Sequence, residues 1–321
     1  MTLPHLKKHR LLAGLTQAEV AIAMGIAQPS YQRWETGATK IPKNSIRKLA
    51  KVLGTTIAEI EGTPLPFDYL GIQQNGDGAR SYFGEIVIHF NSGNPSLLLP
   101  ISEKERDRLY SQLEETGSGF SVESLDNQVI YVRRAAVTDI FLSSDAYDDY
   151  GPEHGSYEHH LGIYPDDDFW HIVEFFEDPT FVEEDYGLQR TKEVFEKISL
   201  SEEDLNDLVA KGHVTEDSRA EVREEADKRT AAFYARATTV TWQLSSGKKR
   251  QEYIDSNQTI SDMFSMLERA ADDEKHMICL PAEGYHRSIF INPTAIDFIS
   301  VPAHKLRDGF LTSIENDMDS Q

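Results

Sequence analysis

Two sets of residues in this chain have side chains and spacing that could do chemistry. The first lies in "GIAQPSYQRWETG", residues 25–37, where Gln28, Pro29, Ser30, Gln32 and Arg33 alternate with the ring residues Tyr31 and Trp34. A glutamine amide can bond two atoms of an adenine edge, and an arginine fork two atoms of a guanine edge. Proline has no hydrogen to donate, but its ring can touch a thymine methyl. Gln17, upstream, and Lys40 and Lys43, downstream, are the types that hold phosphates. The second set is His154, His159, His160 and His171, set among Asp148, Asp149, Glu153, Glu158 and Asp166–Asp168. Imidazoles and carboxylates can hold a divalent ion. However, no H-x-x-x-H pairing recurs here, "HIVEF" at His171 is not an H-E-x-x-H site, and acids with histidines in a loop-rich stretch also make a plain solvated surface. No metal and no cofactor is assigned.

The first set needs helices to aim it. Five helical patterns fit residues 3–61. The first runs from Pro4 to Ala13 and stops at Gly14. Thr16 with Glu19 three residues on forms a capping box for "QAEVAIAMG", which turns Val20, Ala21 and Met24 inward and ends at Gly25. A third helix begins near Ala27–Pro29, where proline is tolerated in the first turn, and ends at Gly37. A fourth starts at Asn44 and buries Ile46, Leu49, Ala50 and Leu53; a last turn, "TIAEIEG", closes the set. Tyr31 and Trp34 are three apart, so they share the inward face of the third helix, with the tyrosine hydroxyl expected at the rim. Gln28, Pro29, Ser30, Gln32 and Arg33 then point away from that core. A plain bundle with a polar face would need neither the capped turn nor a basic bias.

"LTQAEVAIAMGIAQPSYQRWETGATKIPKNSIRKLAKVLGTTIAEI" resembles the Cro/C1-type (XRE) helix-turn-helix family of phage repressors and bacterial regulators. The leucine–threonine–glutamine start, the glycine turn, the tryptophan–glutamate–x–glycine close and the final alanine–x–x–leucine–glycine helix all occur in order. The resemblance covers about a fifth of the chain. It implies a lambda-repressor-like all-α domain that binds double-stranded DNA, with the third helix in the major groove. Two departures stand out: Tyr31 occupies a usually aliphatic position and Pro29 a usually polar one. Some repressors of this family carry a self-cleaving Ser–Lys peptidase body; no serine and lysine here sit in a fitting context.

Charge divides the chain at the same place. Residues 1–62 hold nine Lys and Arg against four acids, a formal +5, so the remainder carries −27 within a total of −22. A basic module with an anionic partner is thus joined to an acidic body. The single cysteine, Cys279, excludes an internal disulfide framework and sits in an apolar strand pattern. The basic N-terminus lacks an uninterrupted apolar run and no stretch approaches a membrane span, so a cytoplasmic protein without membrane contact is expected.

In the body, residues 63–81 read as a linker. Beyond it, "GEIVIHFNSGNPSLLLPISEKERDRLYSQLEE" (84–115) answers "TTVTWQLSSGKKRQEYIDSNQTISDMFSMLER" (238–269), and "VIYVRRAAVTDIFLS" (129–143) answers "SIFINPTAIDFISVP" (288–302). Each stretch reads strand, Ser-Gly turn, strand, helix, strand, short turn, strand. The match reads as an internal duplication, with coincidence between short α+β patterns as the alternative. Between the stretches lies an acidic insert whose second half holds helical patterns, one capped by Ser201 and one starting at Thr215.

The expected fold is therefore multidomain. An all-α five-helix DNA-binding domain (1–62) and a linker (63–81) precede an α+β body of two β-β-α-β-β units (82–145 and 237–303), a helical acidic insert (146–236) and a tail (304–321). The expected function is a sequence-specific DNA-binding transcription regulator, a repressor rather than an enzyme, working as a homodimer on an inverted-repeat operator. The body would supply dimerisation or a sensing surface for a protein partner or effector. The alternative is an antitoxin-like protein whose acidic body holds a basic partner while the DNA-binding end regulates its own operon. An enzyme with a regulatory DNA-binding end is the third reading.

Overall fold

The computed structural model describes residues 4–36, 38–55, 60, 82–144, 151–153, 165–269, 277–282 and 287–319. The chain divides into two compact units, one of Met1–Leu65, Asp168–Ala235 and Phe310–Gln321, the other of Pro66–Asp167 and Arg236–Gly309.

The first unit opens with α1 (Pro4–Leu12), α2 (Gln17–Met24), α3 (Gln28–Glu35) and α4 (Lys43–Leu53). Their apolar residues recur at helical spacing and meet in one core of Leu6, Val20, Ala21, Met24, Tyr31, Trp34, Ile46, Leu49, Ala50, Leu53 and Ile60. The closing turn expected at 56–62 and the linker at 63–81 lie outside the described residues, Ile60 apart. The same unit holds a second set of helices: α6 (Asp167–Glu174, from Asp168 on), α7 (Thr180–Tyr186), α8 (Leu188–Ile198), α9 (Glu202–Ala210) and most of α10 (Arg219–Thr238). Ser201 caps α9 and accepts from Asp204 N–H; Thr215 caps a 3-10 turn, Glu216–Ser218, that leads into α10. Periodicity gave no helix for α6 to α8, because acids and aromatics crowd this stretch. Their cohesion is aromatic: Phe169 and Trp170 meet Phe233 at 6.0 and 5.8 Å, and Phe176 meets Phe195 edge-on at 5.0 Å.

The second unit runs β1 (Tyr82–Phe90), β2 (Leu97–Ser102), α5 (Glu103–Glu114), β3 (Gly119–Ser124), β4 (Gln128–Arg133), a 3-10 turn (Arg134–Ala136) and β5 (Val137–Ser144). It resumes with β6 (Thr239–Leu244), β7 (Lys249–Tyr253), α11 (Asn257–Arg269), β8 (Ile278–Ala282), β9 (Arg287–Ile291), a 3-10 turn (Pro293–Ala295) and β10 (Ile296–Pro302). The two stretches pass through the same order of elements, each with five strands where the sequence pattern marks four. The strand missed in the first stretch, β3, hides behind polar residues made at home by hydrogen bonds: Arg108 Nη1 donates to Ser121 Oγ at 3.0 Å, and Ser124 Oγ to the Pro100 carbonyl at 3.0 Å. A last helix, α12 (Ala303–Asp319), forms where the sequence suggests a tail. Its first turns lie in this unit, where Arg307 binds Asp167 through Nε at 3.1 Å and Nη2 at 2.5 Å.

The sheets do not respect the boundary between the stretches. β2-β1-β5 is one sheet, β8-β9 another, and β3-β4-β10-β6-β7 a third that draws two strands from the first stretch and three from the second. β10 lies at its centre, antiparallel to both β4 and β6, and all seven of its residues are buried. Its sequence, "IDFISVP", is nearly continuous in apolar residues because both faces are covered. Its one charged residue, Asp297, is fully buried and fully engaged. Its carboxylate accepts from Ser92 Oγ (2.9 Å), Asn94 Nδ2 (2.7 Å), Gln243 Nε2 (3.3 Å) and Ser245 Oγ (2.6 Å), so one charge ties both Ser-Gly turns to the central strand. Phe298, the next residue and therefore on the opposite face of the strand, stacks on Phe90 at 5.8 Å.

Candidate nucleic-acid interface

The turn between α2 and α3 is built from local chemistry. Thr16 Oγ1 accepts from Glu19 N–H at 3.2 Å, and Glu19 Oε2 accepts from Thr16 N–H at 2.8 Å, which closes the capping box. The first two amides of α2 keep no intrahelical partner. At its other end Gly25 takes φ 74°, the left-handed conformation that reverses the chain, and its N–H returns to the helix carbonyls. Lys48 of α4 adds a cation there, donating to the Met24 carbonyl at 3.0 Å. The α3 helix then starts at Gln28, with Pro29 in its first turn where a missing N–H costs nothing.

One face of α3 is anchored. Tyr31 is wholly buried and Trp34 nearly so. The tyrosine hydroxyl is therefore not at the rim, as the sequence suggests; the larger ring fills the aliphatic position and carries its oxygen into the core. Burial pushes the phenol far up, and the Glu35 carboxylate adds to the effect. Behind it sits an ion pair that the helical pattern does not reveal. Arg10 and Glu35 are 5% and 7% exposed, with Arg10 Nε and Nη2 donating to Glu35 at 3.2 and 3.0 Å and Arg10 Nη1 to the Leu15 carbonyl at 2.9 Å. The signal available for it was the glutamate of the tryptophan–glutamate–x–glycine close. This pair ties α1 to the end of α3.

The opposite face of α3 is open. Gln28, Pro29, Gln32 and Arg33 are exposed and Ser30 is half-buried. Arg33 Nε donates to the Pro29 carbonyl at 3.2 Å, and among the described residues its two terminal nitrogens make no hydrogen bond. Lys40 is exposed just past the helix; Lys43 is the first residue of α4, and its side chain lies outside the description. Gln17 differs from expectation. It is half-buried, and its amide is turned inward to Glu35 Oε2 at 3.2 Å, so it braces the Arg10–Glu35 pair.

The second candidate set does not assemble in view. His154, His159, His160, Asp148, Asp149 and Glu158 lie outside the described residues. His171 packs on Tyr186, whose hydroxyl is 3.2 Å from its Nδ1. Among the described residues no three His, Cys, Asp or Glu side chains converge as a metal site, and no helix is long and apolar enough to cross a membrane. Cys279 is half-buried in β8.

Comparison with known proteins reaches the first module alone. Residues 6–60 match the family model described as Helix-turn-helix. No curated protein and no solved structure matches the chain. A capped helix, a left-handed glycine turn and a second helix with one anchored and one open face stand within those matched residues. The N-terminal module is an XRE-type helix-turn-helix, the DNA-binding part of a transcription regulator.

Proposed function

We propose that the protein reads a specific DNA sequence through the open face of α3 and represses transcription as a homodimer on an inverted repeat, without catalysis. The observation that carries this is the division of α3: Tyr31 and Trp34 buried, Gln28, Pro29, Gln32 and Arg33 exposed on the same two turns. In the major groove Gln28 and Arg33 supply bidentate donors and acceptors, Pro29 an apolar touch, and Ser30 and Gln32 adaptable polar contacts. Phosphates are held by the free amides at the start of α2 and by Lys40 and Lys43. With Gln17 turned to Glu35, its backbone rather than its side chain faces that task. One recognition helix covers too little for strong discrimination, which calls for two modules on two half-sites. The acidic body repels the duplex and confines contact to the basic module.

We read the body as a duplicated β-β-α-β-β-β unit. The common order of elements, the Ser-Gly turns at 92–93 and 246–247, and the serine caps Ser102 and Ser256 at the starts of α5 and α11 support this. Its role is dimerisation or sensing. Selection of bound duplexes from a random pool by the full-length protein tests the proposal: an inverted repeat with half-sites about one helical turn apart is expected. Recovery of unrelated sequences only would leave sequence-specific reading without support.

A further inference from the structure

The duplication reading carries a consequence at the sheet edges. An offset of 159 residues lays the turn 134–136 on 293–295, β4 on β9 and β5 on β10. The two stretches are joined by the pairing of β4 with β10. The counterpart of that pairing is β9 with β5, and it is not made in this chain: among the described residues β5 pairs with β1 alone and β9 with β8 alone. Exposure follows the missing seam. Tyr131 on β4 is 5% exposed and its counterpart Phe290 on β9 is 62% exposed; β10 is buried throughout, whereas β5 shows Thr138, Asp139 and Phe141 to solvent. Gly151 lies against the Phe141 ring and still leaves it open.

We propose that β9 of a second copy of this chain completes β5, and β5 of that copy completes β9, so that two seams close a homodimer. The observed register Phe298↔Val132, Ile299↔Tyr131, Ser300↔Ile130 and Val301↔Val129, moved by the offset, gives Asp139↔Ile291, Ile140↔Phe290, Phe141↔Ile289 and Leu142↔Ser288. The two middle pairs set isoleucine against phenylalanine, as neighbouring strands favour. Neither strand has the lysines or prolines that guard a free edge. Each has one charge, and both are occupied: Asp139 by His89 Nδ1 at 2.7 Å, Arg287 by Glu252 at 2.9 Å. Two reciprocal seams use up every open edge of this kind, whereas a single seam would propagate into a filament.

The proposal rests on the duplication and deepens the dimer reading, and its test uses no DNA. In a Cys279→Ser background, full-length Phe141→Cys and Ile289→Cys chains are co-expressed with different tags and mildly oxidised. A 141–289 disulfide between the two tagged chains is expected, and light scattering of the unaltered protein gives the mass of two copies. Ser143→Cys with Ile289→Cys, two residues out of register, crosslinks at least about fivefold less. Phe290→Lys, at an exposed position, keeps the circular dichroism of the parent while raising the dimer Kd at least about tenfold. A disulfide formed only when both substitutions share one chain overturns the second copy as occupant. Absence of crosslink in both arrangements, a monomer mass or a filament overturns the seam. A dimer that binds no operator fails the DNA reading alone; an operator-binding monomer fails this inference alone.

Discussion

Arg33 and Lys40 are both exposed cations near α3, yet they differ in what they can read. The fork of Arg33 can satisfy two acceptors of one guanine, so Arg33→Ala is expected to cost about 1–3 kcal/mol of discrimination at one base-pair position. Lys40→Ala removes a point charge near a phosphate and weakens all sequences alike. Competition binding with single-position operator variants separates the two patterns; a uniform loss for Arg33→Ala would remove it from the reading face. The buried pair beneath the helix answers to different physics. Arg10→Met leaves Glu35 charged, buried and deprived of its partner, and should lower the stability of the N-terminal module by about 3–5 kcal/mol. Adding Glu35→Leu should recover much of that loss, which thermal unfolding of the two variants would show.

Among the elements, α2 and α3 were the most legible, because caps, turns and faces are short-range. Thr16, Glu19 and Gly25 each announce a backbone conformation, and Tyr31 with Trp34 announces a face. The turn of the Gln17 amide was not legible, since it is set by Glu35 across the module, and neither was the depth of the Tyr31 hydroxyl, which the surrounding core covers. β3 escaped because Ser121 and Ser124 are buried through hydrogen bonds, and α6 to α8 because their packing is aromatic and irregular. The capping box also makes a pH prediction. The Thr16 backbone and hydroxyl hydrogen bonds hold the Glu19 carboxyl below the usual carboxylate range. Its contribution is thus present above the unfolded-state value and is lost as pH falls through the lower folded one. The gap in melting temperature between the parent and Glu19→Gln should shrink from pH 6 to pH 3; a constant gap would mean the cap does not depend on the charge.

Across the whole molecule, a +5 module and a −27 remainder make DNA affinity a balance of attraction and repulsion. Residues 1–62, which have their own core, should bind random duplex more tightly than the full chain, with the difference narrowing between 50 and 300 mM salt, roughly as screening shortens the reach of the acidic body. Fluorescence anisotropy with a labelled nonspecific duplex measures both. The sheet that crosses between the two stretches was the least legible feature, because a strand's neighbours are set by partners more than a hundred residues away. Alternation marks a strand; it does not name the strand beside it.

The central position of β10 also sets an order in time. During synthesis the helix-turn-helix emerges before the body and has everything its core needs. β1, β2, α5 and β3 follow, then β4, but β10, which covers the edge of β4 away from β3, is written about 170 residues later. At ordinary elongation rates that is roughly ten to thirty seconds in which Val129–Val132 wait beside the ribosome with an open edge. A nascent regulator of this design has a DNA-binding end ready well before its body is whole, and its half-made sheet is the part that chaperones would be called on to shield.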